Sequence, residues 1–551
     1  MRRGDMAGKR DIQRRFSRRL QVDMVGEGLL VGLAGGGVVT LYRLSLGKAE
    51  EALSIIATAI SGSPLLIASW FIALAALGAI VCRLMVWEPY TQGSGIPQID
   101  AEVMGRIDMP WWRVLLAKFV EGTLCALGGL SLGREGPSVQ LGGVAGKAVS
   151  RLLRRDRGEE RLLTTCGAAA GMSAAFNAPL TGTLFAIEEI HREFSGPLLV
   201  AVMAATIASD FLVSQVLGVR PVLEFTFTRD LPHGYYPYIL ALGLFCGFAG
   251  ALHNQGMFLA SRLYGRIRRG APYTRLAVPF ALAGVAVLLW PELTCGGDRI
   301  IKLVMAPGVL PLGTIAALLL GKYAFTTLCF GSGAPGGTLF PLCVMGSLCG
   351  ALFAVAATNC MGLPGIFVTN FIVLGIGGLF ASVVRAPVTA VVLAFELTGS
   401  LDALLSVSIV SIIAYVTANL LNVDPFYEHL FARLIGAQPV GPRAGGPQKA
   451  GGDATACPGG TSSHADEKIL QTHVVGAGSQ AEGRLVRDVS WPHGARIVII
   501  ERAGQEVLPT GDTRLEALDS LVFIISSSDE YAAETDLRKL LRGSLESKRT
   551  P

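Results

Sequence analysis

Several short segments of this 551-residue chain set Gly, Ser, Glu or Tyr at breaks in apolar sequence, where they could handle a small anion or a proton. The first is Gly93-Ser94-Gly95-Ile96-Pro97. Its glycines leave backbone N–H groups without side-chain cover, and Ser94 adds a hydroxyl donor. A half-helix end here would present donors to an anion; an ordinary loop turn is the alternative. The second is Gly133-Arg134-Glu135-Gly136-Pro137. Gly136 and Pro137 suit the start of a helix, and a helix N-terminus attracts anions. Glu135 then stands where an anion would bind. Charged, its carboxylate competes with the anion; protonated, it vacates the site, which couples proton and anion occupancy. A plain ion pair of Glu135 with Arg134 or another cation is the other reading.

The third break is Gly336-Gly337-Thr338-Leu339-Phe340-Pro341, whose N–H groups around Thr338 and Leu339 would face the same site from the opposite side. Tyr427, in Pro425-Phe426-Tyr427, is a neutral donor suited to a partly dehydrated anion. It reads equally as an aromatic anchor at a membrane interface. Glu188 and Glu189 end another apolar segment. Consecutive helical residues point about 100° apart, so the two carboxylates do different jobs. For Glu189 a solvated helix end near His191 and Arg192 is the alternative.

The elements that position these residues are apolar. The chain is 51% hydrophobic and 16% charged, with a mean hydropathy of +0.50, against about 25% charged for soluble domains. That excludes a soluble enzyme, and no set of nucleophile, base and orienting residue stands out. Apolar runs cover 24–42, 64–87, 111–132, 138–153, 162–175, 178–190, 197–217, 237–264, 276–290, 309–330, 338–357, 364–384, 386–397 and 402–422. A spanning helix needs about 20 apolar residues. Several runs are shorter and broken by Gly or Pro, so they read as half-helices buried in protein or lining a cavity. Eight Lys or Arg lie between residues 2 and 19, before the first run, which puts a basic N-terminus (1–23) on the cytoplasmic side. A nucleic-acid arm is the alternative; a signal peptide is disfavoured, because no short apolar core with a small-residue cleavage site follows early enough. The ten cysteines contain no C-x-x-C, so neither a metal site nor a disulfide framework is indicated.

The membrane part is duplicated. Ala175–Glu188 aligns with Val383–Glu396 at a shift of 208 positions, with five of 14 residues identical, and a Gly/Pro break precedes each copy. Matched breaks in two halves point to a transport site at the repeat interface. Glu188 pairs with Glu396, which suggests a structural hydrogen-bonding role; Glu189 faces Leu397 in the alignment and is asymmetric. Residues 24–435 therefore form one membrane domain and 436–467 a Gly/Pro-rich linker. Residues 468–545 form a small α+β unit, with strand-like stretches at Arg496–Glu501, Glu506–Leu508 and Leu521–Ile525 and a closing helix over 529–541.

Together these residues resemble the CLC family of chloride channels and chloride/proton exchangers. Its signatures G-S-G-I-P and G-R-E-G-P stand intact at 93–97 and 133–137, followed by Phe-Asn-Ala-Pro-Leu at 176–180. The third, G-x-F-x-P, departs: Leu339 holds the Phe position and Phe340 follows it. The resemblance implies an all-α polytopic membrane protein with two inverted repeats and broken half-helices. It implies that Ser94 and Tyr427, with the N–H groups of Thr338 and Leu339, hold a central chloride. It makes Glu135 the external gating glutamate and Glu189 the internal proton glutamate. Glu189 favours an exchanger over a passive channel, the alternative on the same fold, and Ser94 favours chloride over nitrate. A homodimer in the inner (cell) membrane, with both termini cytoplasmic and no metal, cofactor or nucleic acid, is the accompanying expectation. The tail is similar to the TrkA-C module through Leu485-Val-Arg-Asp-Val489, Ala495-Arg-Ile-Val-Ile-Ile500 and Val507-Leu-Pro-Thr-Gly-Asp512. Such a tail would bind a small-molecule ligand, a cyclic dinucleotide being one candidate. A ligand-sensing receptor is the rival from another class, and the paired breaks argue against it.

Overall fold

The computed structural model describes residues 3–60, 62–192, 196–218, 227, 231–306, 310–436, 468–476, 478–502, 505–517, 519–526 and 530–541. The linker expected over 436–467 lies outside them from 437 on, as does the end of the tail after 541. The chain forms two compact units, a larger one of residues 1–155 and 159–444 and a smaller one that holds 445–551.

The larger unit is helical throughout. Its helices are α1 (Arg3–Ile60), α2 (Pro64–Trp87), α3 (Ile96–Val103), α4 (Trp111–Leu127), α5 (Glu135–Leu152), α6 (Arg157–Phe176), α7 (Pro179–Phe185) and α8 (Gly196–Leu217). The second half continues with α9 (Tyr236–Arg266), α10 (Tyr273–Leu289), α11 (Asp298–Met305), α12 (Leu312–Gly331), α13 (Leu339–Met361), α14 (Val368–Val384), α15 (Pro387–Thr398), α16 (Ala403–Leu420) and α17 (Phe426–Leu434). The run expected over 24–42 is the middle of one longer helix. After Tyr42 the sequence turns polar but keeps good helix formers such as Lys48-Ala-Glu-Glu-Ala52, so α1 continues to Ile60.

Among the described residues, eight helices are long and apolar enough to cross a membrane. In most of them less than half of the apolar window is buried within the protein, whereas the windows at Leu339–Met361 and Gly365–Val384 are 83% buried. The former helices turn apolar surface outward, as lipid-facing spans do, and α13 and α14 form the centre. Close helix crossings make that centre possible. A Cβ added to Gly346 would meet the Ile376 Cα at 2.7 Å, and one added to Gly142 would meet the Gly171 backbone at 2.9 Å, so only glycine lets α13 approach α14 and α5 approach α6. The two halves repeat this arrangement: α1 packs on α8 as α9 packs on α16.

The smaller unit is a four-stranded antiparallel sheet of β1 (Lys468–Val474), β2 (Arg496–Arg502), β3 (Gln505–Val507) and β4 (Ser520–Ser526), in the order β1-β4-β2-β3. Helix α18 (Glu530–Leu541) packs on β1 and β4 and buries Ala533, Leu537 and Leu541 in the core with Ile500, Phe523 and Ile525.

Candidate functional site

The three breaks read in the sequence meet in the middle of the larger unit. Gly133 and Gly337 form an antiparallel bridge, Gly133 N–H donating to Gly337 O at 2.6 Å and Gly337 N–H to Gly133 O at 2.8 Å. Gly93 N–H donates to Gly333 O at 3.2 Å, and Gly336 N–H to Gly93 O at 3.1 Å. Three chain segments far apart in sequence are thus tied backbone to backbone. Ser94 is followed by Gly95, whose φ of +103° caps the start of α3; a side chain there is strained, and a Cβ would meet Gln140 at 2.7 Å. Helices α3, α5 and α13 all begin at this junction, so their free N–H groups and the positive ends of their dipoles gather around one point.

Glu135 is the first residue of α5 and is completely buried. Its Oε2 accepts the N–H of Phe340, in the first turn of α13, at 3.0 Å. A carboxylate therefore lies across the gap between two helix N-termini. Its other oxygen stands 4.0 Å from Arg134 Nε, too far for a hydrogen bond. One oxygen is thus hydrogen-bonded to the opposite helix end, while Oε1 has no hydrogen-bond partner and faces Arg134 at a longer distance. Arg134 instead lies over the Phe340 ring at 5.2 Å, and Phe340 stacks on Phe176 at 6.5 Å. The departure from the third signature thus sends a phenyl ring toward Arg134 and leaves Leu339 buried at the turn. The N–H presented to the carboxylate is that of Phe340, one residue beyond the pair expected from the sequence.

Ser94, Thr338 and Tyr427 are buried as well. The Tyr427 hydroxyl faces the Ser94 and Thr338 hydroxyls, and neither Ser94 Oγ nor Tyr427 Oη lies within 3.5 Å of a partner in good hydrogen-bond geometry. Two unspent hydroxyl donors in a buried pocket suit an anion. The interfacial reading of Tyr427 fails here: Pro425 starts α17 so that Tyr427 falls in its first turn and points into the protein, where Phe426 packs edge-on against it at 5.2 Å.

Glu188 and Glu189 do separate. Glu188 accepts from Val388 N–H (3.2 Å), Thr389 N–H (2.8 Å) and Thr389 Oγ1 (2.7 Å) at the start of α15. Its repeat partner Glu396 accepts from Leu180 N–H (2.8 Å), Thr181 N–H (2.7 Å) and Thr181 Oγ1 (2.6 Å) at the start of α7. Each carboxylate caps the half-helix of the other repeat. Glu189 lies in a π-helical turn, Ala186–His191, that rotates it inward. It is 6% exposed, so the solvated helix end is excluded. Arg192 Nη2 stands 3.6 Å from its Oε1.

Some buried charges escaped the sequence reading. Asp100 of α3 is fully buried, neither of its carboxylate oxygens is hydrogen-bonded, and it faces Arg192 and Glu189. Lys118 of α4 donates to the carbonyls of Thr91 and Gly93, both at 2.7 Å, and so grips the segment leading into Ser94. Lys118 sits in the run read as apolar over 111–132, where the rule that an ionisable residue within a span marks function would have found it; Asp100 lies between two such runs. The carboxylates of Glu102, Asp108 and Glu160 also cluster. Lys147 pairs with Glu102 and Asp108, and Arg151 with Asp108 and Glu160. These cations occupy the oxygens that a metal ion would need.

A sequence model of the voltage gated chloride channel family matches residues 73–419, and one of the TrkA-C domain matches residues 470–537. The chain is 34% identical over 423 residues to the H(+)/Cl(-) exchange transporter ClcA of Vibrio cholerae serotype O1 (strain M66-2), covering 74% of this chain and 88% of that protein. It is 35% identical over 373 residues to the protein of the same name from Citrobacter koseri, covering 66% and 79%. Among solved structures, a slow cyanobacterial Cl-/H+ antiporter superposes with a TM-score of 0.72 at 26% identity, over 75% of this chain and 98% of that one. Signature breaks, duplicated frame and relatives agree: the chain belongs to the voltage gated chloride channel family.

Proposed function

We propose that the protein is a secondary active antiporter that exchanges chloride for protons across the cell membrane. The observation that carries this reading is the Glu135 carboxylate accepting the Phe340 N–H at 3.0 Å. It holds the place of an anion between the N-termini of α5 and α13. Protonation removes the charge that keeps the side chain there, and chloride then takes the freed donors. Ser94 and Tyr427 hydroxyls, with the backbone around Thr338 and Leu339, hold the ion on the inner side of Glu135. Glu189, buried beside Arg192, passes protons between the cytoplasm and the interior. The relatives named as H(+)/Cl(-) exchange transporters support antiport over passive conduction.

The same reading makes the protein a homodimer in the inner membrane, each subunit with its own pathway, and places both termini in the cytoplasm. Residues 468–545 then form a regulatory tail, joined by the linker 436–467, that takes a small-molecule ligand. No cofactor takes part.

Glu135→Gln tests the competition at the centre of the mechanism. Gln keeps the shape and loses the charge, so chloride binding at neutral pH should tighten by about tenfold and proton movement should stop. Unchanged chloride affinity would remove Glu135 from the anion site.

A further inference from the structure

Glu121 is used by nothing described above. It lies in α4, one turn beyond Lys118, fully buried. Its Oε2 has no hydrogen-bond partner, and its Oε1 has a single one, Thr91 Oγ1 at 3.1 Å. Lys118 does not neutralise it directly, because the ammonium is spent on the carbonyls of Thr91 and Gly93 and, among the described residues, makes no ion pair. An ionised carboxylate with one weak contact is costly in such a place.

The hydrogens around Thr91 point to a different state. Thr91 Oγ1 also stands 2.8 Å from the carbonyl oxygen of Glu88. A carbonyl only accepts, and a hydroxyl carries one hydrogen. The shorter contact is the one to Glu88 O, and our assignment gives the hydrogen to it. The 3.1 Å contact then needs a hydrogen from the carboxyl, so a protonated Glu121 donates to Thr91 Oγ1. The other titratable groups facing it are Lys118 and Cys125 on its own helix, Glu88 in the turn before α3, Tyr42 of α1 and Cys82 of α2. Only Lys118 among them is a cation.

We infer that Glu121 is a further proton-holding carboxyl that sets the strength of the anion site through Lys118. Thr91 joins the two: its carbonyl accepts from the Lys118 ammonium, and its hydroxyl stands 3.1 Å from Glu121 Oε1. With Glu121 neutral, the Lys118 charge stands uncompensated behind Gly93 and draws an anion to Ser94. With Glu121 ionised, that charge is cancelled and the anion is held less tightly. The inference rests on the reading of Ser94 and Tyr427 as the chloride site.

The experiment is calorimetric chloride titration of purified full-length protein in which Glu135→Gln and Glu189→Gln have removed the two carboxyls of the proposed exchange mechanism and Asp100→Asn the buried carboxyl beside Glu189. Affinity should fall by about tenfold as pH rises through the carboxyl's titration. Adding Glu121→Gln should hold it at the low-pH value throughout. Thr91→Ala, made with Glu121 intact, should move the midpoint of the fall to lower pH, since the neutral carboxyl loses its acceptor. A midpoint moved to higher pH would show the hydroxyl donating to a carboxylate and would overturn the assignment. Chloride binding with no pH dependence in the triple variant would overturn the inference while leaving the site. No chloride binding at any pH would overturn the site, and the inference with it.

Discussion

The two halves of the membrane unit share a frame and differ in chemistry. The frame is reciprocal: Glu188 caps α15 with three hydrogen bonds, and Glu396 caps α7 with three equivalent ones. The reactive carboxyls are one-sided. The first residue of α5 is Glu135 and that of α13 is Leu339; Glu189 aligns with Leu397. Duplication supplies opposed helix ends, and the two carboxyls proposed to carry protons occur in one copy only. Residues kept in both halves should then govern stability, and residues present in one should govern coupling.

The largest expected effect is on coupling. Glu189→Val should reduce proton flux by at least about a hundredfold while chloride flux falls by less than about tenfold, read from reconstituted vesicles. Equal loss of both fluxes would mean that Glu189 supports the fold and that the asymmetry carries no function.

Glu188→Ala and Glu396→Ala should each cost about 2 kcal/mol, seen as matched drops in thermal stability with little change in the ratio of protons to chloride. A large change in that ratio from either variant would break the division between frame and chemistry.

Acid effects on the tail must be kept apart from those on transport. Burial, aided by the charge of Arg538, pushes His473 of β1 from an ordinary 6.5 down to about 4. The unfolded chain therefore binds the proton more readily. The contribution of neutral His473 is fully present above about 6.5 and is lost as pH falls toward 4. Protection of the β1 and β4 amides in hydrogen exchange should decline over that window, and His473→Phe should flatten the decline. Transport that follows the same window and flattens with the same substitution would show the tail controlling the membrane unit.

The smallest effect is expected from Leu339→Phe, which restores the family residue. The site draws on backbone N–H groups at this turn, so chloride flux should change by less than about threefold. A larger change, or altered selectivity between chloride and nitrate, would show that the side chain lines the pathway.

Much of this was legible because breaks need Gly and Pro and buried carboxylates need reasons. The junction of Gly93, Gly133 and Gly337 and the division of labour between Glu188 and Glu189 follow from residue type and from the repeat. Tyr427 was ambiguous because an aromatic at the end of an apolar run has the same local sequence whether it anchors in the interface or turns inward; Pro425 and the packing of Phe426 decide it. Strand β1, Lys468-Ile-Leu-Gln-Thr-His-Val474, was not distinguished, since its alternation is weak and its pairing partner β4 lies some 50 residues on. Lys118 and Glu121 were hidden inside a segment read by its average hydropathy. Phe340 could be placed only once α13 was seen to start at Leu339, because a shift of one residue turns the ring by about 100°.

The most direct test of the account is a flux measurement on the unmodified protein in liposomes under an outward chloride gradient, following external chloride and external pH together. The account predicts that chloride efflux drives protons into the vesicles with no proton gradient to favour it, so that the external solution becomes alkaline as chloride appears. Chloride efflux without proton uptake would contradict it, leaving a passive pathway on the same fold and Glu189 as a buried structural residue.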